Sequence, residues 1–90
     1  MVVVKSSKPI DKLKKGDGVK VDGKQLEVDA HYVLIEHKTT KEMAIEVFDA
    51  KADKDFQIRY FNDQVETSME FYELVSDVMY VRREVKKIEW

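Results

Sequence analysis

The stretch FDAKADKDF, residues 48 to 56, places Asp49, Asp53 and Asp55 close together with lysines between them. Such oxygen donors suit a hard divalent cation, because calcium takes roughly six to eight oxygen ligands, several of them carboxylates on a flexible loop. The three aspartates are a fragment of such a loop. Lys51 and Lys54 partly neutralise it, and neither the aspartate-glycine run nor the distal glutamate of an EF-hand follows. A second acidic group, Asp63, Glu66, Glu70 and Glu73, lies downstream. On a helix, Glu66, Glu70 and Glu73 would form one stripe, and like charges at that spacing repel by a few tenths of a kcal/mol, roughly, per pair. A bound cation would relieve that repulsion, and so would a lysine from a neighbouring strand. The metal-site expectation is therefore a weak calcium site, calcium before magnesium, built from Asp49, Asp53 and Asp55 with help from Glu66 and Glu70. The competing reading is a solvated hairpin tip and an acidic face.

Other chemistry finds less support. His31 and His37 are six residues apart, roughly 20 Å along a strand, too far for one metal ion unless the chain turns back between them. The serines Ser6, Ser7, Ser68 and Ser76 have neither a histidine nearby in sequence nor a glycine-rich elbow. Gly16, Gly18 and Gly23 match no phosphate-binding loop. The expectation is a protein that binds rather than one that catalyses. Nucleic acid is an alternative ligand: Lys8, Lys12, Lys14, Lys15, Lys20 and Lys24 sit near the start and Arg82, Arg83, Lys86 and Lys87 near the end, while Tyr32, Tyr60 and Phe61 beside Arg59 are strand aromatics on which single-stranded bases stack. Against this stand the overall acidity and the use of lysines to protect strand edges. A protein partner or a second copy of the chain is the broadest remaining class, as monomer or homodimer, with Trp90 either a packed cap or an interface anchor.

Composition narrows the setting. Ninety residues are enough for one domain over 1–90 and too few for two cores. The absence of cysteine removes disulfides, thiolate zinc sites and cysteine nucleophiles, and argues for a cytoplasmic protein. The opening MVVVKSSKPI has three valines before Lys5, well short of an export signal or a membrane span. Charged residues make up 38 % of the chain, with a single asparagine, a balance that leans towards a thermophile. The net charge of −2 is unevenly spread, with basic ends and an acidic middle. If the fold joins the ends, their lysines form one patch.

The elements that must position these residues follow from pattern. SKPIDKLKKG opens on proline and closes on glycine, the signature of a helical turn near 9–15. VKVDGKQLEV alternates on both sides of Asp22-Gly23, a hairpin whose turn needs positive φ, with strands at about 18–22 and 24–29. HYVLIE, EMAIEVFD and FQIRYF read as further strands at 31–36, 42–49 and 56–61, the last two paired across the aspartate loop. Residues 62–74 fit either a helix capped by Asp63, over about 63–73, or an alternating strand; the cap favours the helix. VMYVRREVKKIEW favours a strand to Val85. The expectation is an α+β, β-dominated domain of five or six antiparallel strands in a curled or partly closed sheet, with one short helix. The alternative is an all-β SH3-like small barrel.

That alternative comes from LKKGDGVKVDGKQLEV, residues 13 to 28, which resembles the first hairpin of SH3-like barrels. It departs from the related KOW motif in lacking a glycine shortly beyond the turn, so the RNA binding of that motif does not carry over. FQIRYFNDQVETSMEFYEL followed by VMYVRREVKKIEW resembles the ending of small archaeal proteins of uncharacterised function, a resemblance that implies an archaeal source and brings no catalytic residues with it.

Overall fold

The computed structural model describes residues 2–90. Eight strands form one sheet in the order β1-β8-β2-β3-β4-β5-β6-β7: β1 (Val3–Lys5), β2 (Gly18–Val21), β3 (Lys24–Glu36), β4 (Lys41–Asp49), β5 (Lys54–Phe61), β6 (Glu70–Leu74), β7 (Tyr80–Arg83) and β8 (Lys87–Glu89). All neighbours are antiparallel except β1 and β8. The sheet curls into a half-barrel around a core of Val19, Leu26, Val28, Ile45, Val47, Ile58, Phe71 and Ile88. The all-β reading fits, with eight strands in place of five or six.

Each element has a local cause. Asp22 and Gly23 take φ of 49° and 82°, the paired positive values that let a two-residue turn follow the twist of its strands. The segments expected at 24–29 and 31–36 are one 13-residue strand, β3, interrupted by register shifts between Val28 and Ala30 and between Val33 and Ile35. Each shift absorbs one extra residue. Val28 and His31 can therefore face the core opposite Val47 and Ile45 while Ala30 faces outward opposite Glu46, and the strand bends as it does so.

The helix expected over 63–73 is not formed. A single turn, α1 (Val65–Ser68), is followed at once by β6. Asp63 does not cap it. Its carboxylate and the Asn62 side-chain oxygen lie 2.7 and 2.8 Å from the Thr40 hydroxyl, the N-cap position falls on Gln64, and no side chain caps the turn. The strand alternative prevails from residue 70 because Phe71 then meets Ile58 in the core, a burial that a local cap cannot match. The turn near 9–15 shortens to a 3-10 turn over Ile10–Lys12, which buries Ile10 and Leu13 against the sheet.

Candidate functional site

The sheet has a second face, turned away from the core. Register fixes its members: Tyr32 is opposite Ala44, Ala44 opposite Arg59 and Arg59 opposite Glu70, while the next rung runs Ala30, Glu46, Gln57, Tyr72 and Arg82. Tyr80 joins from β7 opposite Leu74. Because side chains alternate across a strand, these residues emerge together on one side.

Hydrogen bonds, cation–π contacts and an ion pair together tie them into a single array across five strands. Gln57 is only 2 % exposed despite lying on the outward face, so its amide must be fully satisfied. Its Nε2 donates to the Tyr32 hydroxyl at 3.0 Å, and its Oε1 accepts from Arg59 Nε. The Tyr32 hydroxyl in turn donates to Glu46 at 2.7 Å. The Arg59 guanidinium carbon lies 4.1 Å from the centre of the Tyr72 ring and 5.6 Å from that of Tyr80, within cation–π range of both. The Tyr72 hydroxyl donates to Glu70 at 2.9 Å, and Arg82 pairs with Glu70 at 3.3 Å. Partial burial pushes the Tyr32 phenol up to about 12, with the hydrogen-bonded Glu46 adding to it. Burial likewise raises Tyr72, helped by Glu70, and Tyr80, helped by the charge of Glu46. At neutral pH all three are neutral donors with flat apolar faces.

The acidic residues singled out by sequence are not gathered at one point. Asp49 is 7 % exposed, and its Oδ1 accepts the backbone N–H groups of Lys51 and Ala52 at 3.0 and 3.2 Å while Lys24 approaches its other oxygen at 3.7 Å. It closes the β4–β5 turn. Asp53 supplies that turn's left-handed residue, φ 53°, and Asp55 is the second residue of β5, opposite Phe48. Glu70 lies beside Arg59, four residues further along β5, roughly 13 Å from the Asp55 rung. Glu66 lies beyond that, on α1. Among the described residues no cluster of three or more histidine, cysteine, aspartate or glutamate side chains is placed to hold a metal ion.

His31 is bonded at both ring nitrogens, to Leu13 O at 2.9 Å and to the Tyr60 hydroxyl at 2.6 Å. A carbonyl only accepts, so Nδ1 carries the hydrogen and Nε2 accepts from the phenol. Tyr60 therefore belongs to the core, away from Tyr32 and Phe61, and burial with the nearby charge of Asp11 pushes it up to about 12. His37 sits against Phe61 with ring centres 5.8 Å apart. Ser68 accepts from the Phe61 N–H and donates to Gln64 O, a structural role.

The chain ends do converge. On β1, β8 and β2, Lys5 and Lys20 are both opposite Glu89, which also takes Lys87 at 3.5 Å. A shallow groove of about 380 Å³ is lined there by Lys5, Ser6, Ser7, Lys20, Gln25 and Trp90. Trp90 donates its indole N–H to Lys8 O at 2.8 Å and packs against the core, so it caps its own domain. Lys8 is held by Asp17 at 2.9 Å, and that contact, with the Lys14 N–H, keeps the Asp17 carboxyl below its usual range. Acids are thus interleaved with the lysines.

Gln57, Tyr72 and Tyr80 belong to one surface that sequence alone does not assemble. The signal was the alternation Glu70, Tyr72, Leu74, which places Tyr72 beside Arg59 only if residues 70–74 form a strand. Among the described residues no helix is long and apolar enough to cross a membrane. In comparison with known proteins, no family model, curated protein or solved structure matches the chain, so the array of Tyr32, Gln57, Arg59, Tyr72 and Tyr80 has to be interpreted from its own chemistry.

Proposed function

We propose that this chain is a non-catalytic binding domain that recognises a polypeptide partner through the tyrosine–arginine face of β3–β7. The observation that carries the reading is Gln57, a nearly inaccessible amide that fixes Tyr32 on one side and Arg59 on the other. Side chains already immobilised lose little conformational freedom on association, which leaves more of the contact energy for affinity.

Composition supports a protein ligand. Protein interfaces are enriched in tyrosine and arginine and depleted in lysine. All three arginines of the chain lie on β5 or β7, and two of them, Arg59 and Arg82, point to this face. None of the thirteen lysines occupies an outward position of β3–β7. Glu42, Glu46, Asp55 and Glu70 share the face with those two arginines, a balance that repels a polyphosphate backbone.

The test is selection of displayed random peptides on the whole chain, followed by affinity measurement on Tyr72→Ala and Tyr80→Ala. Enriched peptides should lose roughly tenfold or more on either folded variant, as for hot-spot truncation. Peptides that bind wild type and both variants alike would place recognition elsewhere.

A further inference from the structure

Arg59 differs from the other two arginines. Arg82 has Glu70 at 3.3 Å and Arg83 has Glu73 at 3.1 Å, whereas Arg59 has no carboxylate within ion-pair distance among the described residues. Its only hydrogen bond there is through Nε, to a neutral amide. Every buried side-chain nitrogen and oxygen among the described residues has a partner, so neither of the two unbonded Nη groups is sealed from solvent. Arg59 is thus half-buried, held at Nε by Gln57, flanked by Tyr72 and Tyr80, and without a partner at its forked end among the described residues. A planar fork held in this way matches the two oxygens of a carboxylate, with two parallel charge-assisted hydrogen bonds.

Resting on the proposed function above, we infer that Arg59 is the anchor of the face and takes one aspartate or glutamate side chain from an otherwise basic segment of the partner. The single acid follows from the unpaired fork. The basic context follows from the surroundings: of the four carboxylates on the same face, Glu42, Glu46, Asp55 and Glu70, Glu70 is already paired with Arg82, and the other three would meet flanking lysines or arginines favourably. Those four carboxylates also discriminate against phosphoryl groups and nucleic acid, which bring two or more negative charges to the fork. Tyr72 and Tyr80 narrow the approach and shield the new ion pair from water, where an exposed pair would contribute little.

The experiment uses the most enriched displayed peptide, synthesised with an amidated C-terminus so that side chains supply its only carboxylates, beside a twin in which each acid is replaced by its amide; enrichment of peptides without aspartate or glutamate overturns the anchor outright. Wild type should bind the acidic peptide roughly tenfold or more tightly than the twin, the scale of a hydrogen bond to a charged group. Arg59→Gln should erase that preference, and Arg59→Lys, which keeps the charge and loses the fork, should erase most of it. Equal affinity of the two peptides for wild type overturns the anchor; if amide shifts still gather on Tyr72 and Tyr80, the face remains the binding surface without it. Shifts from both peptides lying elsewhere overturn the anchor and the face together. A preference for a phosphotyrosine-bearing or oligonucleotide probe over the acidic peptide also overturns the inference.

Discussion

Arg59 and Tyr72 stand on neighbouring strands with the guanidinium carbon 4.1 Å from the ring centre, and this contact organises the outward face of the sheet. Arg59 is opposite Glu70, and Tyr72 is opposite Gln57, so the two side chains meet on a diagonal across β5 and β6. Gln57 then fixes the Nε end of Arg59, and Tyr80 adds a second aromatic ring. The outward face consequently has a small polar core of its own, above Ala44, which is fully buried.

Removing Gln57 should loosen that arrangement. Gln57→Ala deletes a side chain that is 2 % exposed and breaks its bonds to Tyr32 and Arg59, at a cost of about 2 to 4 kcal/mol. Urea denaturation measures it. A loss within experimental error of zero would mean that the amide is not the clamp described.

The tyrosines give a pH signature. All four, Tyr32, Tyr60, Tyr72 and Tyr80, are raised above the ordinary phenol value of 10.0, Tyr32 and Tyr60 to about 12. The unfolded chain gives up phenol protons more readily than the native one, so the associated stability is fully present below pH 10 and is lost as pH rises from there through about 12. Ultraviolet titration of the folded protein should show no full phenolate step centred at 10, with ionisation and loss of fold arriving together at higher pH. A four-tyrosine step centred at 10 on folded protein would contradict the burial of these rings.

Asp22 does more than turn a hairpin. Its Oδ1 accepts the backbone N–H groups of Lys86 and Lys87, both at 2.9 Å, and so fastens the start of β8 to the β2–β3 turn. Asp22→Gly keeps the positive φ and loses only these bonds, costing about 1 to 2 kcal/mol. Asp22→Ala loses them and adds left-handed strain, a further 1 kcal/mol or about that. Thermal unfolding of the pair should rank Ala below Gly; equal stabilities would remove the strain from the explanation.

These cases mark how much the sequence reveals. The Asp22-Gly23 turn, the β4–β5 pairing around the aspartate loop and the all-β alternative were readable, because each depends on local dihedral demands or on strict alternation. The clamp from Asp22 to Lys86 and Lys87 was not, since it links residues 64 and 65 positions apart. Residues 62–74 were decided by Phe71 finding Ile58, a tertiary contact that outweighs a local cap signal. The binding face stayed hidden for the same reason, because Arg59, Tyr72 and Tyr80 become neighbours only once β6 and β7 are strands.

The aspartate loop gives a contrasting expectation. Asp49 is committed to the Lys51 and Ala52 N–H groups, so Asp49→Ala should cost about 1 to 2 kcal/mol in urea denaturation. Calcium and magnesium should each give small, similar amide shifts spread over the acidic residues, and Asp53→Asn should change neither. Saturable shifts with calcium alone on residues 49–55 would instead support a cation site at the loop.

Binding at the tyrosine–arginine face is tested by an amide and side-chain NMR map of the intact chain saturated with its best selected peptide. The largest shifts should fall on Tyr32, Gln57, Arg59, Tyr72 and Tyr80, with the Arg59 Nε–H signal among them. Shifts gathered instead on Lys5, Lys20 and Trp90 at the joined chain ends, with the tyrosine face unmoved, would contradict it.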